Sequence, residues 1–271
     1  MTGDGVNDAP ALKRADVGVA MGRKGTAAAR DASEMVLADD NFASIVDAVR
    51  EGRTVYDNLT KVIAWTLPTN GGEALTIIVA VLAGLTLPIT SVQILWVNMV
   101  TALALGLTLA FEPTEPGTME RPPRPAGAPL LKRDVVWRVA SISVLFVIGV
   151  YGVYYWSVAR GLPIETARTL VVNTIVAMEI FYLFNVRYVH GASLTWRGVL
   201  GTPAVLIGVA SVVVLQVAFT YVPWLQLAFG TRALAVSDGL VAVAVGVALF
   251  VVVEVEKIVR SRGFKAMRHG N

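Results

Sequence analysis

The chain has 271 residues, of which 55% are hydrophobic and only 16% charged, and its mean hydropathy is +0.63. That balance excludes an ordinary soluble domain, where about a quarter of residues carry charge, and makes a multi-span membrane protein the first expectation. The net charge of +3 reads as basic residues flanking spans, so no nucleic-acid partner is expected, and the lack of cysteine excludes disulfides, thiolate metal sites and thiol catalysis. No secretory leader is expected either, because Asp4, Asp8 and Asp16 interrupt the first twenty residues.

The first sixty residues hold ten of the twenty acidic residues and read as the end of a soluble α/β domain. Alternation predicts a short helix over 8–14, a buried strand over 17–21, a helix over 26–33 and a strand over 35–38, and hence a parallel sheet. From Phe42 to Thr66 the apolar spacing turns helical. Six apolar segments follow near 62–82, 92–111, 135–158, 170–189, 199–221 and 239–255, each about long enough to cross ~30 Å of hydrocarbon. Trp137, Trp156, Trp196 and Trp224 fall near predicted ends, as an aromatic belt requires. The two histidines, His190 and His269, sit in no cluster. The Pro-rich link 112–129 is expected to be extended and to pack on the soluble part.

Basic residues are unevenly shared among the links. Those after the first, third and fifth spans hold three, Arg160, Arg168 and Arg232. The other links and the tail hold twelve: Arg121, Arg124, Lys132, Arg133, Arg138, Arg187, Arg197, Lys257, Arg260, Arg262, Lys265 and Arg268. The positive-inside rule then places both termini in the cytoplasm of a multi-pass cell-membrane protein.

The run Thr2-Gly3-Asp4-Gly5-Val6-Asn7-Asp8 carries a chemical pattern. Gly3 and Gly5 permit positive φ and close approach of backbone to a ligand. Asp4 and Asp8 are hard oxygen donors of the kind Mg²⁺ takes alongside water and phosphate oxygens. Asn7 can donate to a phosphoryl oxygen. Taken alone, the same residues also describe an Asx-rich turn that starts a helix at Asp8 and Pro10.

Within the spans two acids lie deep, Glu73 and Glu179. Each costs roughly 2.5–3.5 kcal/mol at the bilayer centre on insertion scales, so each is expected to face a bundle interior. They read as an ion path or, alternatively, as protonated glutamates in interhelical hydrogen bonds. Pro68, Gly71 and Gly72 are expected to unwind the helix around Asn70 and Glu73, which lie three apart. Asn98 and Thr101 are also three apart in the second span. Singly they would be packing polar groups; with Glu73 they make an oxygen-rich cage for a hard cation.

The run TGDGVNDAPALKRADVGVAMG resembles the hinge signature of P-type ATPases, the haloacid-dehalogenase-like cation pumps, and the resemblance continues through GTAAARDASEMVLADDNFASI and GRTVYDNLTK into the membrane. It implies that Asp4 is a Mg²⁺ ligand and that Asn7 and Asp8 contact and orient a phosphoryl group, with Gly3 and Gly5 letting the loop approach it. It implies Mg²⁺ and ATP as cofactors, the ATP site lying mostly outside this chain. The family's DKTGT motif, which holds its phosphorylated aspartate, does not occur here. The expectation is therefore a C-terminal portion, inactive by itself, whose partners are a transported cation, the bilayer and an N-terminal part of the pump.

The spans resemble helices five to ten of calcium-type pumps. The resemblance implies Asn70, Glu73, Asn98, Thr101 and Glu179 as ligands of the transported cation. The family's next ligand, an Asp after the Thr, is Ala102 here. Losing that charge weakens the case for two Ca²⁺ ions and favours one divalent ion or a monovalent ion such as Na⁺ or K⁺. The fold expected is thus a six-helix polytopic membrane protein preceded by an incomplete α/β phosphorylation-domain segment. The boundaries expected are 1–58 for the cytoplasmic piece and stalk helix, 59–260 for the membrane domain and 261–271 for a basic tail. Other readings are a membrane-anchored phosphatase and a non-catalytic membrane subunit or remnant.

Overall fold

A central apolar run flanked by short amphipathic helices dictates the first unit. In the computed structural model, which describes residues 1–125, 127, 133–187 and 202–268, this unit comprises Met1–Tyr56 with Thr114–Pro122. Strands β1 (Thr2–Gly3), β2 (Val19–Met21) and β3 (Met35–Leu37) form a parallel sheet in that order. Thr2 stands opposite Val19, and Val19 opposite Met35. All three residues of β2 are buried, as a central parallel strand covered on both faces requires. Leu12 of α1 (Ala9–Arg14) and Ala29 of α2 (Ala27–Asp31) pack with Ala20. Val19, Met21 and Leu37 pack with Ile45. Thr26 caps α2, its hydroxyl accepting from the Ala29 amide at 3.3 Å.

Arg53 holds the segment Thr114–Pro122 within this unit, donating to the carbonyls of Thr118 at 2.7 Å and Arg121 at 2.8 Å. Thr54 and Thr114 share a hydroxyl hydrogen bond of 2.7 Å. This part of the Pro-rich link is therefore tied by backbone carbonyls to the helix that carries Arg53.

The second unit contains the membrane spans. Among the described residues, six helices are long and apolar enough to cross a bilayer. They are α3 (Ala43–Ala83), the segment Ser91–Ala110, α6 (Arg133–Ala159), α7 (Ile164–Val186), α8 (Pro203–Tyr221) and α10 (Val236–Arg268). Between α8 and α10 lies a short helix, α9 (Pro223–Phe229). The second span is α4 (Ser91–Thr101), a π-helical turn at Ala102–Gly106, and α5 (Leu107–Ala110). In α7, 78% of the apolar window is buried, against 22–50% in the other spans. It is therefore the central helix of this unit.

Two expectations are corrected. The fourth span begins at Ile164, not Leu170, because Pro163 ends the preceding turn and the first helical turns pack Ala167 and Leu170 fully inside. The helix is not unwound at Pro68 either: α3 runs through it without a break for 41 residues. Gly71 and Gly72 serve packing rather than unwinding. A Cβ on Gly71 would stand 2.5 Å from Ser143 Oγ, and one on Gly72 2.5 Å from Phe146 Cβ, so the pair lets α6 lie against α3. The expected limits at Val189 and Val199, the residues Lys132, His190, Trp196, Arg197 and His269, and positions 126, 128 and 129 of the Pro-rich link fall outside the described residues.

Charges at span ends are matched. Arg187 Nε donates to Glu112 Oε1 at 2.6 Å and Nη2 to Oε2 at 3.3 Å, with the side chains 1% and 5% exposed. Arg160 pairs with Asp238 at 2.6 Å and lies over the Trp156 ring. Lys257 pairs with Glu254 at 3.0 Å.

Candidate functional site

The acidic loop is a turn closed on its own carboxylate. After β1 the chain makes a 3₁₀ turn over Val6–Asp8 and enters α1 at Ala9, with Pro10 in its first turn. Asp8 Oδ2 accepts from the Asp4 amide at 3.1 Å and the Gly5 amide at 2.9 Å. A Cβ on Gly3 would stand 2.6 Å from Asp8 Cβ, so only glycine admits this arrangement. Asp4 and Asn7 are exposed, and the Asp4 carbonyl accepts from Thr26 N at 2.8 Å. Thr2, Gly3, Asp4, Asp8, Lys24 and Asp40 line one cleft with Met21 and Phe42.

Asp40, which the sequence did not single out, shapes the far side of that cleft. Its φ of 56° is left-handed, a conformation aspartate adopts more readily than most residues. Its carboxylate accepts from the amides of Arg23 and Lys24, both at 2.9 Å. These bonds, the Arg23 amide foremost, hold its carboxyl below the usual aspartate range. The Gly18 amide does the same for Glu34, from 2.6 Å. Asp4, exposed, and Asp8, half-buried, supply hard carboxylate oxygens of the kind a Mg²⁺ ion takes, so the donor set fits that ion.

The intramembrane acids come together from three elements. Asn98 Nδ2 donates to Glu73 Oε2 at 2.6 Å, joining the second span to α3. Glu179 of α7 lies near the Glu73 carboxylate and beside the Thr101 hydroxyl. Glu73 is 5%, Glu179 1% and Thr101 2% exposed. Glu73 Oε1 and Glu179 Oε2 are buried and accept no hydrogen bond. Thr101 Oγ1 donates to Val97 O at 2.9 Å, which keeps its lone pairs free to coordinate. Asn70 stands apart. It is exposed and joins none of these contacts, although it lies only three residues from Glu73. Ala102, in the π-helical turn, is exposed too.

Two residues that sequence reasoning missed hold this site's frame. Trp65 Nε1 donates to the Glu179 carbonyl at 3.2 Å, and the Tyr182 hydroxyl donates to the Ala64 carbonyl at 2.9 Å. One signal was available: Tyr182 lies three residues after Glu179, on the same helix face.

An acidic α/β loop and a six-span helical bundle with two buried, mid-span carboxylates define a polytopic membrane protein built around an internal acid pair. The family model described as cation transporting ATPase, C-terminus, matches residues 86–259. The chain belongs to the P-type cation-transporting ATPases and corresponds to their C-terminal part. It is 47% identical over 259 residues, 95% of its length, to a probable cation-transporting ATPase F of Mycobacterium tuberculosis. It is 37% identical over 246 residues, 90% of its length, to a calcium-transporting ATPase of Bacillus subtilis. It is 50% identical over 134 residues to a P-type sodium-transporting ATPase4 of Toxoplasma gondii, covering 49% of this chain and 10% of that relative. The chain spans 28% of the length of the mycobacterial relative and 27% of the Bacillus one.

Proposed function

We propose that this chain forms the cation pathway and part of the phosphoryl-handling loop of an ATP-driven pump that works through a phosphoaspartate. The observation that carries the reading is the pair of buried carboxylate oxygens, Glu73 Oε1 and Glu179 Oε2, which accept no hydrogen bond. A carboxylate left so in a bundle interior is costly unless protonated or met by a cation. Glu73, Glu179, Asn98 and Thr101 offer oxygens to a hard cation from three elements. Asn70 would join them from its exposed position only if another part of the pump covered that face.

The cargo is Ca²⁺ or another hard cation, and two features favour a monovalent alternative. Ala102 contributes no carboxylate, and one relative is named a sodium transporter. At the loop, Mg²⁺ held by Asp4 and Asp8 would neutralise phosphoryl charge. Asn7 would donate to a phosphoryl oxygen, and the amides of Asp4 and Gly5 fix the Asp8 carboxylate for its role. With no DKTGT in the sequence, these 271 residues are proposed to form no phosphoenzyme by themselves, the nucleotide site and an N-terminal part completing the pump. The basic residues flanking the spans support a cell-membrane protein with both termini cytoplasmic. A membrane-anchored phosphatase would have no use for the intramembrane acids, and a non-catalytic remnant no use for the intact loop.

Helix α3 begins in the first unit and carries Glu73, which makes it the proposed coupling element. The test is ⁴⁵Ca and ²²Na uptake by vesicles holding the complete pump. Glu73→Gln should abolish uptake and ion-stimulated ATP hydrolysis; unchanged transport would refute the site. Lys61→Pro should leave ATP hydrolysis but uncouple it from uptake, and tight coupling in that variant would remove α3 from this role.

A further inference from the structure

Pro68 has no amide hydrogen, so the Ala64 carbonyl, four residues back in α3, lacks its helical donor. In a bilayer interior such a carbonyl must find another. It takes the Tyr182 hydroxyl of α7, at 2.9 Å. The next residue, Trp65, makes the converse bond, donating from α3 to the Glu179 carbonyl on α7 at 3.2 Å. Two adjacent residues of one helix thus bond reciprocally with two residues one turn apart on the other. Both side chains are enclosed, Trp65 at 2% and Tyr182 at 0% exposure. The Trp65 ring also lies against Gly106, where an added Cβ would stand 3.4 Å from it, so the same side chain touches the end of the π-helical turn that follows Thr101.

We infer that Trp65 and Tyr182 form a clasp that positions the cation ligands, Tyr182 using the carbonyl freed by Pro68 to hold α3 at a set spacing from α7. The inference rests on the reading of Glu73 and Glu179 as cation ligands. The clasp holds the backbone of Glu179 itself, while Glu73 lies eight residues from Trp65, about 12 Å along the helix. It touches no cation; its residues act through the two glutamates. A tyrosine that served only to fill space would be replaced without loss by phenylalanine.

The experiment is equilibrium binding of ⁴⁵Ca²⁺ and ²²Na⁺ to the protein in lipid nanodiscs, with Glu73→Gln as the reference for site binding. Tyr182→Phe should weaken the glutamate-dependent binding about tenfold, the worth of a buried hydrogen bond whose acceptor is left unpaired. Pro68→Ala in the same protein restores an amide donor to the Ala64 carbonyl, so the double variant should return to within about twofold of wild type. If Glu73→Gln abolishes binding and Tyr182→Phe changes nothing, the clasp is refuted and the site stands. If Tyr182→Phe weakens binding and Pro68→Ala does not restore it, the hydroxyl acts otherwise and the clasp is refuted. If Glu73→Gln itself leaves binding intact, the cation reading fails, and the positioning role falls with it.

Discussion

The acids of the two units are held in opposite ways. In the first unit Asp8, Glu34 and Asp40 each accept backbone amides, and Asp39 accepts the Ser44 hydroxyl at 2.7 Å. In the second unit the acids near span ends, Glu112, Asp238 and Glu254, each face a basic side chain. Only the mid-span pair differs: among the described residues Glu73 and Glu179 form no ion pair, and each keeps a buried oxygen without a donor. Acids used for structure are satisfied within the protein. The mid-span pair is left unsatisfied where water is scarce, and on that contrast rests the proposal that it holds a cation.

The comparison can be broken or sharpened experimentally. Arg187→Ala should have the largest effect, because it leaves the enclosed Glu112 charge without its partner; about 3–5 kcal/mol of stability should be lost, read as a lowered unfolding midpoint in detergent. Replacing both residues with apolar ones of similar volume should recover most of it, and failure to recover would point to a role beyond the pair. Glu179→Gln should instead spare the fold and weaken cation binding roughly 100-fold, or about 2.7 kcal/mol, read by isotope binding. A fold as damaged as in Arg187→Ala would place Glu179 among the structural acids. Ala102→Asp should raise the preference for ⁴⁵Ca²⁺ over ²²Na⁺ about tenfold by adding a carboxylate next to Thr101; no change would show that the π-helical turn points this position away from the site.

The smallest effect concerns acid. Glu34 and Asp40 titrate below their ordinary values when folded, so the stability they contribute is complete above about pH 4, the unfolded range. It is lost as pH falls through their lower folded values. Hydrogen exchange at the Gly18, Arg23 and Lys24 amides, corrected for intrinsic rate, should therefore quicken only below about pH 4, and Asp40→Asn should remove that step for Arg23 and Lys24. Acid-independent exchange would show that these carboxylates do not hold the turns.

Much of the molecule was legible because its cues are local. Gly3, Asp4 and Asp8 crowd seven residues into one recognisable turn, and each span announces itself by length and hydropathy. The alternation over the first forty residues foretold a parallel sheet, although the buried strand expected over 17–21 begins only at Val19 and Val17 is exposed. Pro68 misled because its missing amide suggested a break. The repair comes from Tyr182, 114 positions along the chain, and no local pattern reveals it.

What the sequence determined by itself was the family, the loop and the presence of two acids too costly to lie idle in a membrane. Tertiary structure alone decided that Asn98 reaches Glu73, that Glu179 lies near it with Thr101 alongside, that Asn70 is exposed, and that Trp65 and Tyr182 tie α3 to α7. The reason is physical. In water an apolar stripe tells which face of a helix turns inward. In a bilayer the lipid-facing side is as apolar as the packed one, so spacing shows which residues share a face but not where that face points.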